Sequence, residues 1–262
     1  MKILVTGATG FVGNHVVLFL LTKDVDIVVT SRSAENAKKF SWFTKVNYAE
    51  WTIGDTIHDN LINYFHQPDV CIHLAWDGLP DFRNEAHEST FFQNHWNFLE
   101  QFVKGGVKKI VVSGTCLEYG MQEGELAEDM EVFPLLSYPK GKNKLRQSLV
   151  DLQEKYTFQL DWVRLFYMYG QGQHPKSILS QLQRNIDEKQ PVFNMSKGEQ
   201  LRDYLPVEKV AEVIVNLALI KSENGIVNCC SGIPVSIQSL VKEYLQQAGI
   251  EMTLNLGHYP YP

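Results

Sequence analysis

A glycine-rich turn near the start of the chain limits the folds that this sequence can adopt. The string Gly7-Ala8-Thr9-Gly10-Phe11-Val12-Gly13 follows a short apolar run, residues 2–6, and opens an amphipathic stretch, residues 12–22. Glycines let the backbone turn tightly there, and the unpaired N–H groups of a first helical turn attract an anion such as a pyrophosphate. The strand, turn and helix therefore predict a dinucleotide-binding unit. The simpler alternative is a tight strand-to-helix turn without a ligand.

The same alternation of strand and helix continues along the chain. Short β-branched runs predict strands at 2–6, 26–30, 70–74, 109–113, 160–165, 226–230 and 252–256. Amphipathic stretches predict helices at 12–22, 58–65, 89–104, 138–156, 207–220 and 236–248. This order favours an α/β fold with a Rossmann-type, doubly wound parallel sheet.

A second, smaller lobe is expected in the C-terminal part, because the regular order of strands and helices changes at about Tyr169 and a loop follows at 170–175. We expect a Rossmann domain at 1–165, completed by about 207–232. The substrate lobe is then formed by about 166–206 and 233–262.

The composition excludes several classes of protein. Lys and Arg total 24 against 30 Asp and Glu, so the net charge is −6 and no basic surface for nucleic acid is expected. The four cysteines form neither a disulfide framework nor a paired C-x-x-C metal site, so no metal is expected. The apolar run at 11–21 is too short and too polar to span a membrane, and no signal peptide is apparent. We expect a cytoplasmic protein without a membrane partner.

The end of the second predicted strand bears on the choice of cofactor. An acid at this place would bind the ribose 2′-hydroxyl of NAD, whereas an arginine accommodates the 2′-phosphate of NADP. The sequence has Ser31 and Arg32 here. It therefore favours NADP(H), with NAD(H) possible. The alternative is a solvated loop arginine.

Tyr138 and Lys142 form a Tyr-x-x-x-Lys pair in a predicted helix. Positions i and i+4 share one face, and a nearby cation is expected to lower the pKa of the tyrosine toward working pH. Tyr138 is thus a candidate proton donor or acceptor for a carbonyl and alcohol pair. Thr115 follows the strand 109–113, at an edge where parallel sheets bind ligands. An exposed helix surface is the alternative for the Tyr-Lys pair.

These motifs together resemble the extended short-chain dehydrogenase/reductases, the NAD(P)-dependent epimerase/dehydratase family, over nearly the whole chain. The resemblance rests on GATGFVG, DVCIHLA, SGTCLEYG, the Tyr-Lys pair, RLFYMYGQGQ and LRDYLPVEKVA. It implies that Thr115, Tyr138 and Lys142 are the catalytic residues. It also implies cofactor contacts from Gly7, Thr9, Gly10, Phe11, Val12, Gly13, Ser31, Arg32, Asp55, Leu74, Ala75, Trp76, Ser113, Tyr138, Lys142 and Phe166. The implied substrate contacts are Thr115, Cys116, Tyr138, Tyr167 and Arg202, where Arg202 grips a diphosphate unless it is a surface residue paired with Asp203.

The departures from the family pattern narrow the implied function. Family dehydratases carry Asp-Glu directly after the catalytic Thr, where this chain has Cys116 and Leu117. The segments HLAWDGLPDF and SGTCLEYGM are most similar to small nucleotide-sugar 4-ketoreductases, of the dTDP-4-keto-6-deoxyhexose reductase or CDP-abequose synthase type. The resemblance therefore implies an NADPH-dependent 4-ketoreductase of deoxysugar and surface polysaccharide synthesis, and a homodimer.

Three alternatives stay open. The first is a fucose-synthase-like epimerase-reductase, for which Cys116 and His174 are near matches to the family's Cys and His. The second is a nucleotide-sugar 4-epimerase. The third is an NADP(H)-sensing regulator without chemistry, against which the intact Thr, Tyr and Lys set argues.

Overall fold

The computed structural model describes residues 1–56, 60–222 and 224–261, and the chain divides into two compact units. The first unit comprises Met1–Leu165 and Glu208–Cys229. The second comprises Phe166–Val207 and Cys230–Pro262. The predicted helix at 58–65 begins outside the described residues, and the structure has a short helix at Leu61–Tyr64.

The secondary structure follows the predicted alternation. In chain order the strands are β1 Lys2–Thr6, β2 Asp26–Ser31, β3 Asn47–Glu50, β4 Val70–His73, β5 Lys109–Thr115, β6 Gln159–Leu165, β7 Tyr167–Tyr169, β8 Val192–Met195, β9 Leu201–Arg202, β10 Tyr204–Pro206, β11 Gly225–Cys229, β12 Val235–Ser236 and β13 Thr253–Leu256. The α-helices are α1 Phe11–Leu20, α2 Ala34–Ala37, α3 Leu61–Tyr64, α4 Thr90–Lys104, α5 Ser137–Gln153, α6 Ile178–Asp187, α7 Val207–Leu219 and α8 Ile237–Ala248.

The first unit is built on a seven-stranded parallel sheet in the order β3-β2-β1-β4-β5-β6-β11. The order reverses between β1 and β4, where the carboxyl ends of the two strands open a crevice for a ligand. This sheet confirms the predicted Rossmann-type fold.

Helices cover both faces of this sheet because its strands are buried on both sides. On one face α4 and α5 contribute Phe98, Leu99, Leu145 and Leu149 to a cluster that includes Ile110 of β5. Alternate residues of the strands point to the other face. There α1 and α7 lie together, with Nδ1 of His15 3.7 Å from Oε1 of Glu208.

The second unit has its own small core. Its strands form three two-stranded pairs: β7 with β10, parallel; β9 with β12, antiparallel; and β8 with β13, parallel. Leu179 and Leu182 of α6 pack with Phe193 of β8 and with Val241 and Leu245 of α8. No helix in the described part of the chain is long and apolar enough to cross a membrane.

Candidate active site

The glycine turn packs its backbone too closely for larger side chains. Gly7 has φ +69°, and a Cβ built on it would lie 2.7 Å from the amide nitrogen of Ala75. A Cβ on Gly13 would overlap the carbonyl oxygen of Gly7. Gly10 donates its N–H to that oxygen at 2.9 Å and caps α1 without a side-chain hydrogen bond.

The first-turn N–H groups of Phe11, Val12 and Gly13 have no partner inside the helix and favour an anion. Thr9 lies half-buried in the same turn. This cradle fits the pyrophosphate of a dinucleotide.

Three residues expected near the adenosine end lie in two different places. Ser31 and Arg32 follow one another at the carboxyl end of β2, and the Ser31 hydroxyl lies 3.0 Å from that of Tyr48. The Arg32 side chain is 75% exposed, with Nη1 3.6 Å from Oδ1 of Asp77. Asp55 instead closes an exposed turn, where its carboxylate accepts the N–H of Thr52 at 3.0 Å.

The end of β4 is tied to β1 by a buried network that the sequence analysis did not anticipate. Thr6 Oγ1 accepts the N–H groups of Leu74 and Ala75, each at 3.2 Å, and lies 3.0 Å from Nδ1 of His73. His73 Nε2 lies 2.9 Å from Nδ1 of His95, a residue of α4. Burial is the main cause that lowers the pKa of both imidazoles, so they are neutral at neutral pH.

The next residues bring Trp76 and Lys142 together. The indole Nε1 of Trp76 donates to Nδ1 of His87 at 3.0 Å. The ammonium of Lys142 lies 4.2 Å from the centroid of the Trp76 ring and donates to the carbonyl oxygen of Ser113 at 2.8 Å. Lys142 is only 1% exposed, and burial lowers its pKa to about 7.

Tyr138, the other member of the pair, sits in an aromatic pocket of the same unit. Its ring stacks on Phe82 at 5.3 Å between centroids and meets Trp76 and His87 edge to face. The expected fall of the tyrosine pKa toward neutral pH, drawn from its spacing with Lys142, is wrong. Burial raises that pKa, and the electrostatic effects of Glu118 and Cys116 raise it further. Tyr138 therefore keeps its proton at neutral pH and is suited to donate it.

Thr115 ends β5 and begins a short 3₁₀ turn, Cys116–Tyr119, which a buried acid fixes. The carboxylate of Glu118 accepts the Thr115 N–H at 2.8 Å, the Trp162 indole at 3.1 Å and Nε of Arg164 at 3.0 Å. Glu118 and Arg164 were not among the residues predicted for the site. The signal was present, because Thr-x-x-Glu is the pattern of a capping box.

The remaining candidates do not all belong to one unit. Cys116 lies in the 3₁₀ turn of the first unit, whereas Phe166, Tyr167 and Arg202 belong to the second. The guanidinium of Arg202 lies 5.4 Å from the centroid of Tyr167.

Asp203 and His174, which entered the alternatives for Arg202 and for an epimerase-reductase, both lie in the second unit. Asp203 accepts the N–H groups of Ser231 and Gly232 at 2.7 Å each, so it serves that turn. His174 accepts the N–H of Lys176 at 3.1 Å within its own loop. Among the described residues, no group of three His, Cys, Asp or Glu side chains could hold a metal ion.

Comparison with known proteins places this geometry in a family. The model of the NAD dependent epimerase/dehydratase family matches residues 3–230. The chain belongs to this family. Membership confirms the resemblance drawn from the motifs.

Two curated relatives are similar to this chain over most of its length. The dTDP-6-deoxy-L-talose 4-dehydrogenase (NAD(+)) of Aggregatibacter actinomycetemcomitans is 28% identical over 99% of this chain and 95% of its own length. A putative UDP-glucose 4-epimerase of Methanocaldococcus jannaschii is 27% identical over 91% of this chain and 79% of its own length.

Solved structures agree on the fold. The UDP-glucose 4-epimerase of Thermotoga maritima, solved with UDP-glucose, superposes with a TM-score of 0.83 at 24% identity, over 97% of this chain and 85% of that chain. MoeE5, solved with UDP-glucose and NAD, gives a TM-score of 0.80 at 23% identity, over 98% of this chain and 85% of that chain.

Proposed function

We propose that the protein reduces the C4 keto group of a 4-keto-6-deoxyhexose carried on dTDP or CDP, with NADPH as the preferred cofactor. The observation that carries the proposal is Tyr138, a buried phenol that keeps its proton and shares the indole of Trp76 with the ammonium of Lys142. Reduction of a carbonyl to an alcohol needs a proton donor, and a fixed cation beside it stabilises the anion that is left.

The chain's own residues supply everything except the hydride. The turn Gly7–Gly13 would hold the pyrophosphate of a nicotinamide dinucleotide, which would supply the hydride. Tyr138 protonates the carbonyl oxygen, and the charge of Lys142 stabilises the phenolate that remains. Thr115 donates a hydrogen bond that strengthens as negative charge grows on the oxygen, so it favours the transition state over the substrate. Glu118 holds the N–H of Thr115 and thereby the turn.

Two further observations support this choice of reaction. The curated relative with 28% identity over nearly the full length of both chains is named as a dTDP-6-deoxy-L-talose 4-dehydrogenase (NAD(+)), an oxidoreductase name that refers to C4 of a dTDP-linked 6-deoxyhexose. Cys116 and Leu117 stand where dehydratases have two acids, and Leu117 has no ionisable group to move protons in an elimination. Phe166 is further proposed as a cofactor contact, and Tyr167 and Arg202 as substrate contacts, with Arg202 on the diphosphate. We further propose a cytoplasmic homodimer.

The preference for NADPH rests on Arg32. Its guanidinium is exposed at the end of β2 and available to a 2′-phosphate, although Asp77 lies 3.6 Å away and competes for it. The relative from Aggregatibacter is named for NAD(+), so the two cofactors need a direct comparison. Arg32→Ser is expected to raise the KM for NADPH about tenfold or more, the loss of one charge-assisted contact, while the KM for NADH stays within about twofold. An equal effect on both KM values would refute this role.

The experiment follows the absorbance of NADPH when the purified protein is mixed with dTDP-4-keto-6-deoxyglucose. The CDP-linked substrate and NADH are run in parallel. Stoichiometric loss of NADPH absorbance with one carrier is the expected result. Tyr138→Phe is expected to lower turnover by about 10²–10⁴-fold at near-normal NADPH affinity. Unchanged turnover in this variant would refute the assignment of Tyr138.

A nucleotide-sugar 4-epimerase is the second candidate, because the relatives reported above include proteins named as UDP-glucose 4-epimerases. The same assay separates the two, since a reductase consumes NADPH in proportion to product and an epimerase regenerates its cofactor within each turnover. Binding of NADPH without turnover of any substrate would instead indicate a cofactor-sensing regulator.

A further inference from the structure

The indole of Trp76 provides part of the immediate surroundings of a buried ammonium group. Lys142 Nζ lies 4.2 Å from the ring centroid and makes its hydrogen bond to the Ser113 carbonyl at 2.8 Å. A cation over the face of a tryptophan is attracted by the ring quadrupole, and the attraction is larger where water is excluded. Because Lys142 is 1% exposed, this contact belongs to the stronger class.

Two histidines fix the orientation of the indole. An indole N–H can only donate, so Nδ1 of His87 must accept from Trp76 at 3.0 Å. The other ring nitrogen of His87 then carries the proton and donates to the carbonyl oxygen of Asp81 at 2.8 Å. The ring of His95 stacks on the indole, with centroids 4.5 Å apart and planes at 14°.

The network behind His95 keeps that stacking imidazole neutral. Thr6 Oγ1 already accepts two backbone N–H groups, so its hydroxyl hydrogen points to Nδ1 of His73. His73 therefore donates from Nε2 to Nδ1 of His95, whose remaining N–H faces Asp77 Oδ2 at 3.5 Å. This order of donors leaves no additional positive charge beside Lys142.

We propose that Trp76 is a positioning residue for Lys142: its indole, held by His87 and His95, keeps the lysine in the charged form and in place beside Tyr138. The proposal rests on the catalytic role proposed above for Lys142. It gives Trp76 a function in addition to the cofactor contact implied by the family resemblance.

The surroundings of Lys142 include effects that raise its pKa and effects that lower it. The carboxylate of Glu118 favours the ammonium and raises the lysine pKa, whereas burial lowers it to about 7. His73 and His95 would oppose the ammonium only if they were protonated. The attraction of the indole for the ammonium adds to that of Glu118 and opposes the effect of burial.

The test measures the ionisation of Lys142 without using catalysis. The full-length protein is labelled with ¹³C at the lysine ε carbons and titrated by NMR, and Lys142→Met assigns the signal. Trp76→Met replaces the aromatic face by an apolar side chain without a ring, and Trp76→Phe keeps an aromatic face that attracts a cation less strongly. Trp96→Phe is the control, because Trp96 is partly buried and packs against the same core cluster as Trp76.

The expected midpoint falls by about one pH unit in Trp76→Met, a tenfold change in proton concentration, and by less in Trp76→Phe. Trp96→Phe leaves it unchanged. An unshifted midpoint in Trp76→Met, or an equal shift in Trp96→Phe, would overturn the proposal.

A second version of the experiment avoids substitution. Replacing the five tryptophans by a fluorinated tryptophan weakens the ring quadrupole while keeping the shape of the side chain. The midpoint is again expected to fall, and an unchanged midpoint again overturns the proposal. Suppose that the midpoint shifts but that none of the substrates tested causes the protein to oxidise NADPH. That outcome would refute only the proposed reductase function. An unshifted midpoint in an active reductase would refute only the role of Trp76.

Discussion

The ion pair between Glu118 and Arg164 should dominate the stability of the turn that presents Thr115. Both side chains are buried, 0% and 1% exposed, and Nε of Arg164 lies 3.0 Å from Oε2 of Glu118. Glu118→Gln keeps the shape but places an amide N–H₂ opposite either the Arg164 Nε–H or the Thr115 N–H. A buried guanidinium then faces a donor, or a backbone N–H loses its acceptor.

The expected loss of stability depends on the contacts that the Arg164 guanidinium keeps in Glu118→Gln. The face of Tyr119 at 4.4 Å and the carbonyl oxygen of Glu128 at 3.3 Å still contact its guanidinium, but neither carries a full negative charge. Removing one partner of a buried pair costs about 3–5 kcal/mol, and these remaining contacts favour the lower end. A loss of that size is a large part of a total stability of about 5–15 kcal/mol and lowers Tm by about 10 °C.

Urea unfolding followed by tryptophan fluorescence measures the change, because Trp162 itself donates to Glu118. Glu118→Gln combined with Arg164→Met should recover part of the loss, since it leaves no buried charge unpaired. Glu212→Gln is the matched control: it breaks the exposed pair with Lys209 and should barely move the midpoint. A loss below about 1 kcal/mol in Glu118→Gln, or no recovery in the double variant, would refute this account.

Three further predictions address other parts of the first unit. Gly13→Ala should abolish cofactor binding in a fluorescence titration with NADPH, because its Cβ would overlap the Gly7 carbonyl; retained affinity would contradict the cradle. Lys142→Met should stabilise the protein most at pH 6, with the gain shrinking toward pH 9. Lys142 has a pKa of about 7 when folded and binds more protons when unfolded, so wild-type stability rises with pH above 7; a gain that does not vary with pH would contradict this. Lys109→Met should destabilise by about 3 kcal/mol in urea unfolding, because it strands the buried carboxylate of Asp161, and an unchanged midpoint would argue against that pair.

The central sheet could be predicted because most of its strands can be recognised from their own short sequences. Each strand except the edge strands β3 and β11 is a short β-branched run buried on both faces and bounded by glycine or polar residues. These properties can be recognised in the sequence of one strand alone. The pairing of β8 with β13 could not be predicted in the same way. The partner of Thr253–Leu256 is a four-residue strand about sixty positions earlier, Val192–Met195, inside a segment that reads as a loop.

In the candidate site, too, features set by local sequence could be predicted, and features set by tertiary packing could not. Tyr138 and Lys142 could be predicted because their spacing is a motif, and Thr115 because the family resemblance implies it. The contact between His73 and His95 depends on how α4 packs against β4, so no local pattern signals it. The predicted direction of the Tyr138 pKa was wrong for a related reason: the neighbouring cation is visible in the sequence, whereas burial is a property of the tertiary structure.

The return of the chain to the first sheet has a consequence for how the protein is made. After Leu165 the chain builds much of the second unit before Glu208–Cys229 adds α7 and the edge strand β11. These late residues supply the Ile220 and Ser222 carbonyls that accept from buried Lys109, and the Asn224 N–H that binds Asp161. A nascent chain that has reached only residue 165 leaves β6 as an open edge and these buried charges partly unsatisfied. The first unit therefore finishes folding only after most of the protein has left the ribosome.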